Sequence, residues 1–274
     1  MLRGALLING TVSSAMYDCK PGLNVGYLRV NPKDGAEMVW VPAGEFLMGS
    51  TPEQIENLPE QKQISWEESA ADDEWRKAEL PQHIVALSGY WVYKYEVTVA
   101  QYRKYCVDTG NQMPKAPDSG WIENHPIANI TWQEAASYAA WAGASLPTEA
   151  QWEKTARGTD GRIYPWGNDY DRSKCNRRAN VQIRTEPVGS YPEGASPYGC
   201  LNMAGNVWEW CSDWYNGDYY SKSPASNPTG PERGAYRILR GGKWRTHIRY
   251  YRCSSRLSYP PSYRSYSIGF RLVQ

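Results

Sequence analysis

The chain has 274 residues, enough for one large domain with a substantial core or for two small ones. Its 30 Lys and Arg balance 29 Asp and Glu, which removes any general electrostatic reason to bind nucleic acid or an anionic membrane. No apolar run approaches the ~20 residues needed to span a bilayer.

Residues 1–36 read as an irregular N-terminal segment, and 37–274 as one domain, since nothing in the middle has the composition of a linker. Met1-Leu2-Arg3 followed by Ala5-Leu6-Leu7-Ile8 is short for a secretory signal, and Cys19 follows a poor lipid-attachment sequence. Met38–Val41 and Glu45–Met48 are short strand-like runs around Pro42-Ala43-Gly44, a pattern that predicts a hairpin. Residues 51–80 are charged and weakly periodic, a surface excursion, and 84–95 are β-prone.

Three helices follow. Thr98-x-x-Gln101, Thr131-x-x-Glu134 and Thr148-x-x-Gln151 each open one, because the Thr hydroxyl accepts from a free backbone N–H and the Gln or Glu reaches back. Gly110, Gly143 and Gly158 close them. After Gly158 regular structure thins, and 164–220 is dense in Gly, Pro, Asn, Trp and Tyr. Two late strands stand out at 236–240 and 268–273. Helices early, loops late and strands at both ends predict an α+β, loop-rich fold whose terminal strands pair.

Aromatic usage is uneven, with 13 Trp and 21 Tyr against 2 Phe, which suggests a hydrogen-bonded core, a binding surface, or both. The cysteines at 19, 106, 175, 200, 211 and 253 form no C-x-x-C pair, which argues against a zinc or thioredoxin-type site. Disulfides and buried free thiols both remain open for them.

Five motifs in order carry a family resemblance: Leu146-Pro147-Thr148-Glu149-Ala150-Gln151-Trp152-Glu153, Tyr164-Pro165-Trp166-Gly167-Asn168, Gly205-Asn206-Val207-Trp208-Glu209-Trp210, Arg240-Gly241-Gly242 and Gly269-Phe270-Arg271. Together they resemble the formylglycine-generating-enzyme (sulfatase-modifying factor) family, from about residue 38 to the C-terminus. The resemblance implies a C-type lectin-like fold with a small twisted sheet, two main helices and a long irregular region. It also implies oxidation of a substrate cysteine with copper held by a cysteine pair between Gly-Gly and Gly-Phe-Arg. In this chain Thr246 and Ile248 lie nearest the expected pair, and Cys253 matches a different cysteine of the motif. Copper(I) needs soft thiolates, so the reading is of a scaffold without the chemistry, and not of an enzyme; the alternative is a copper oxidase of the family type. A related branch builds an iron site from three histidines. His83, His125 and His247 lack metal-ligand spacing and are read as framework.

The resemblance also implies a calcium loop at 202–209, with side-chain oxygens from Asn202 and Glu209 and carbonyls from Gly205 and Val207. The same residues serve equally well as hydrogen-bond partners within the loop. No cofactor is expected for catalysis.

Composition changes from Arg245 to Ser267. This stretch holds six Ser, five Tyr and five Arg, and no Lys, Glu, Gln, Met or Trp. Tyr, Ser and Arg are the mix of adaptable combining sites, where rigid rings give contact and hydroxyls give hydrogen bonds. Every residue in the stretch has a codon ending in a pyrimidine, which is what randomising the adenines of an Asn-type codon produces. In this it resembles the variable region, here about 243–267, of diversity-generating retroelement target proteins, the Treponema variable protein among them, which bind ligands from a lectin fold. The bland alternative is a Tyr-rich surface loop without diversification.

On the first reading the exposed, ligand-binding positions are Arg245, Thr246, Ile248, Tyr250, Tyr251, Ser255, Leu257, Ser258, Tyr259, Ser262, Tyr263, Ser265 and Tyr266. Arg252, Cys253, Arg256 and Arg264 are framework. The expected function is display of a retroelement-diversified surface toward a protein or glycan ligand. An exported, cell-surface location, lipid-anchored or not, suits that function, and a cytoplasmic one stays open.

Overall fold

The computed structural model describes residues 27–57, 77–176 and 185–274. In chain order the elements are β1 (Leu28–Val30), β2 (Glu37–Val41), β3 (Gly44–Met48), α1 (Pro52–Glu56), β4 (His83–Leu87), β5 (Tyr90–Tyr93), α2 (Val99–Thr109), α3 (Trp132–Trp141), α4 (Glu149–Arg157), β6 (Trp208–Trp214), β7 (Arg237–Arg240), β8 (Leu257–Tyr259) and β9 (Ile268–Gly269).

The three long helices start where the capping sequences place them. Thr98, Thr131 and Thr148 each accept from the backbone three residues on, and Gln101, Glu134 and Gln151 accept in return from the cap N–H. Gly110 ends α2 in the left-handed conformation, as expected. Helix α3 caps at Ala142, and Gly143 follows at positive φ and closes it, as expected.

The predicted hairpin at 38–48 is corrected. Strand β2 lies between β1 and β5, whereas β3 pairs antiparallel with β4, so the Pro42-Ala43 step carries the chain from one sheet to another. Pairing here is decided by partners far downstream, Tyr93 for Met38 and His83 for Met48, which a local turn signal cannot report. The third sheet has the order β8-β7-β6-β9, with β9 parallel to β6.

The terminal strands meet as expected. Trp91 N–H donates to Gln274 O at 2.9 Å and Gln274 N–H to Trp91 O at 2.8 Å, while Tyr93 N–H donates to Leu272 O at 2.8 Å. The N-terminal boundary moves. Residues 28–36 belong to the domain, because β1 pairs with β2 and the turn after it is anchored in the core. Asp34 Oδ2 accepts from Tyr138 Oη at 2.6 Å and Tyr93 Oη at 2.9 Å, and Asn31 Nδ2 donates to Tyr93 Oη at 2.6 Å. Residues 1–26, with the signal and Cys19 readings, lie outside the described residues.

One core cluster packs Tyr102, Tyr138, Trp208, Trp210, Leu239 and Phe270 between α2, α3 and the third sheet. A second packs Val39, Phe46, Val85, Trp152, Cys211 and Ile238 between α4 and the strands. Each such side chain fully buried contributes about 1.5–3 kcal/mol relative to exposure. Cys106, Cys175, Cys200, Cys211 and Cys253 are free and buried, which decides for thiols over disulfides at these five positions.

Candidate recognition surface

The segment that changes composition is held at both ends by the third sheet. After β7 the backbone turns at Gly241 and Gly242, both at positive φ, and a Cβ on Gly242 would meet Tyr250 O at 2.8 Å. Residues 248–251 then form a 3₁₀ turn capped by His247, whose Nδ1 accepts from Arg249 N–H at 3.2 Å.

The structure corrects three positions. Ile248 and Tyr251 point inward, into a cluster with Tyr164, Cys175 and Ala204, and Tyr251 Oη donates to Lys243 O at 2.9 Å. Ser255 is also sealed from solvent. None of the three forms the exposed surface expected of them, because the aliphatic and aromatic faces of a short turn are claimed by distant loops.

The framework residues do hold the fold. Arg252 makes two bonds to Glu79, at 2.7 and 2.8 Å, and Arg256 makes two to Glu149, at 2.7 and 2.9 Å. Arg240 reaches Glu149 at 3.1 Å and also Glu153, which pairs with Arg157 at 3.0 Å. Burial works to raise the Glu79 carboxyl, but the Arg252 charge and its hydrogen bonds outweigh it and hold the group below the usual range. Cys253 is fully buried, and burial first of all pushes its thiol up to about 12.

The remaining side chains face outward. Arg245, Ser262, Tyr263 and Tyr266 are exposed, and Thr246, Tyr250, Leu257, Ser258, Tyr259 and Ser265 are half-buried. Tyr259 and Tyr263 stack at 4.2 Å with 13° between their planes, and Tyr250 sets its edge on Trp208 at 5.5 Å. Burial raises the Tyr259 hydroxyl, and Tyr263 and Tyr250 add to that shift. Arg264, expected as framework, is exposed yet tied to Glu134 at 2.7 Å. Tyr266 Oη donates to Ala116 O at 3.1 Å, which docks the tail on the 113–121 segment. Met113 and Trp121 of that segment, half-buried against the same core as Tyr250 and Tyr259, were not foreseen, since only the fold brings them beside the tail.

The calcium loop takes a different form from that expected. Both Glu209 oxygens are occupied: Arg271 Nε and Nη2 donate at 2.6 and 2.7 Å, and Trp152 Nε1 donates at 2.8 Å. Asn202 Oδ1 accepts from Gly189 N–H at 3.1 Å. Gly205 and Val207 are buried in the same loop. A carboxylate neutralised on a bidentate guanidinium does not fit the role of the one charged calcium ligand. The carboxyl beside it, Glu96, is raised well above its ordinary value by burial first and by Glu209 second.

The copper and iron sets implied by the resemblance do not fit either. Among the described residues no three His, Cys, Asp or Glu side chains come together to hold a metal ion. The tail supplies the single buried thiol of Cys253. His83 Nδ1 lies 3.0 Å from Pro81 O, His125 Nδ1 lies 2.9 Å from Thr185 Oγ1, and His247 caps its turn. Among the described residues no helix is long and apolar enough to cross a membrane.

The sulfatase-modifying factor enzyme 1-like domain matches residues 26–274. The formylglycine-generating enzyme of Streptomyces coelicolor is 45% identical over 54% of this chain and 52% of its own length, so the chain spans about half of that relative. The mouse formylglycine-generating enzyme is 30% identical over 92% of this chain and 77% of its own. Hercynine oxygenase of Mycolicibacterium smegmatis is 30% identical over 75% of this chain and 54% of its own.

Two solved structures share the fold. PvdO from Pseudomonas aeruginosa has a TM-score of 0.73 at 24% identity, covering 92% of this chain and 98% of that one. Treponema denticola variable protein 1 has a TM-score of 0.67 at 20% identity, covering 92% of this chain and 99% of that one. These likenesses bear out the α+β, C-type lectin-like fold. The expectation that the chain is no enzyme is overturned, because relatives 30–45% identical are named as enzymes and place it among enzyme relatives. By the domain match over residues 26–274 and the extent of the mouse relative, this chain belongs to the sulfatase-modifying factor (formylglycine-generating enzyme-like) family.

Proposed function

We propose that this chain recognises a ligand through the outward side chains of residues 243–267, and that this segment is diversified between copies of the gene. One observation carries the reading: the tail separates into buried anchors and an outward set. Arg252, Cys253, Arg256 and Ser267 are sealed in the fold, while Arg245, Thr246, Tyr250, Ser258, Tyr259, Ser262, Tyr263, Ser265 and Tyr266 lie at the surface or its rim. An outward set made of Tyr, Ser and Arg gives large rigid contacts at low entropy cost. Replacing one such residue leaves the anchors untouched. Display at the cell surface suits such a binder.

Sequencing this gene across many cells of one strain tests the proposal. Changes confined to codons for the outward set, tracking adenines of a template copy, are expected. A tail as invariant as Gly241-Gly242 would sink diversification.

An activity of the family's enzymatic kind is the second reading, favoured by the 45% identity to a formylglycine-generating enzyme. Oxygen uptake with a cysteine-containing peptide, with and without copper, tests it. Turnover that Cys253→Ser abolishes while the unfolding midpoint stays that of the native chain would assign the reaction to that thiol. Turnover that survives the substitution would place the reactive group elsewhere.

A further inference from the structure

We propose that the partner of this surface is a protein face carrying carboxylates around an apolar patch; the inference rests on the recognition reading above and names the chemistry it selects. The segment 243–267 contains Lys243, Arg245, Arg249, Arg252, Arg256 and Arg264, and no Asp or Glu. Three of these cations are consumed internally, Arg252 on Glu79, Arg256 on Glu149 and Arg264 on Glu134. Arg249 is buried, its guanidinium set over the Tyr250 ring at 4.7 Å and donating to Tyr250 Oη at 2.9 Å. Lys243 and Arg245 are left at the surface, with no acidic partner among the described residues.

The uncharged polar groups of the patch serve either kind of partner. Among the described residues the hydroxyls of Thr246, Ser258, Tyr259, Ser262 and Tyr263 make no hydrogen bond, so each can donate to or accept from a bound partner. The selection is therefore made by charge: cations with no carboxylate among them match a ligand that carries negative charge, and a basic ligand would find no counter-charge on the tail.

The aromatic groups set the class. Tyr259 stacks on Tyr263, Tyr250 meets Trp208, and Tyr250, Leu257 and Tyr259 pack on one core cluster. Such rings bury apolar area and suit the centre of a protein interface, with charge at its edge. Two free cations on the tail are too few to follow a polyanion along its length, which disfavours an acidic polysaccharide.

The test is selection from a phage-displayed library of random peptides on the purified chain, with two variants in parallel. On the native chain the enriched peptides are expected to combine aromatic or aliphatic residues with Asp and Glu. On Lys243→Glu with Arg245→Glu the acidic preference is expected to vanish or reverse. Individual acidic peptides should bind that variant about tenfold more weakly, mainly through slower association, with the gap closing as salt rises. Equal charge composition on both chains, or no enrichment at all, overturns the proposal.

Tyr259→Ser with Tyr263→Ser separates the two levels. If charge is ignored but these substitutions abolish binding, the recognition surface stands and the acidic partner falls. If they leave the enriched set unchanged, the recognition surface falls as well. Hyaluronan serves as a second probe, since it carries carboxylates without apolar side chains. Binding of hyaluronan that depends on Lys243 and Arg245 and ignores the tyrosines overturns the protein partner in favour of an anionic glycan. Unfolding midpoints equal to the native chain show that both variants are folded.

Discussion

Arg252 Nη2 lies 2.7 Å from Glu79 Oε1, with the two side chains 2% and 0% exposed. The pair joins the middle of the tail to a residue 173 positions earlier in the chain. A buried ion pair of this kind is costly to break on one side, because the surviving charge has no water to turn to.

Arg252→Ala is therefore expected to destabilise the chain by about 3–5 kcal/mol, measured by urea unfolding. Arg245→Ala and Ser262→Ala, a few positions away but outward-facing, are expected to stay within about 0.5 kcal/mol of the native chain. Equal costs at all three positions would contradict the division of the tail into anchors and outward side chains.

Asp213 gives stability a defined pH dependence. Burial first, and the nearby Glu149 second, raise its carboxyl to about 7. The folded chain then keeps a proton that the unfolded chain releases at about 4, so this group lowers stability as pH rises between those values. Asp213→Asn keeps an acceptor for Glu149 N–H and removes the titration. The variant is expected to exceed the native chain at about pH 8 by on the order of a few kcal/mol, the gap closing below about pH 4. A difference independent of pH would point to packing instead.

Calcium is expected to be dispensable. Glu209 is neutralised by Arg271, and burial of that guanidinium is outweighed by Glu209, which holds Arg271 firmly charged. Thermal unfolding in EDTA and in excess calcium should coincide. A rise of several degrees with calcium would show that the loop exchanges the guanidinium for a cation.

The buried thiols of Cys106, Cys175, Cys200, Cys211 and Cys253 are expected to resist alkylation in the native chain and to react once it is unfolded in urea. Burial pushes Cys200 and Cys253 up to about 12, which leaves little thiolate to attack a reagent. Rapid native labelling at Cys253 would show that the tail opens.

The helices were legible in the sequence because their signals are local: a Thr and the Gln or Glu three residues later settle where α2, α3 and α4 begin. Strand β6 was not foreseen. Both of its faces are buried, from Trp208 to Cys211, so the alternation that marks a half-exposed strand is missing. The misplaced hairpin and the inward turn of Ile248 and Tyr251 have one cause. Their partners, β5 and β4 for the strands, Tyr164 and Cys175 for the turn, are remote in sequence. In the tail, Arg252 and Arg256 are legible as framework, and both are buried on carboxylates. Glu79, Met113 and Trp121 carry no sequence mark that ties them to the tail.

The strand that closes the fold comes after the tail. Ile268 and Gly269 pair with β6, a Cβ at Gly269 would meet Ile127 O at 2.5 Å, Arg271 holds Glu209, and Leu272 and Gln274 bond β5. Ribosomes must therefore read through the whole tail in frame before the sheet can be completed. Insertions or deletions there that shift the frame deliver the wrong residues to these contacts and yield a chain that cannot close, while same-length substitutions pass. The C-terminus acts as a built-in frame check on whatever the preceding segment encodes.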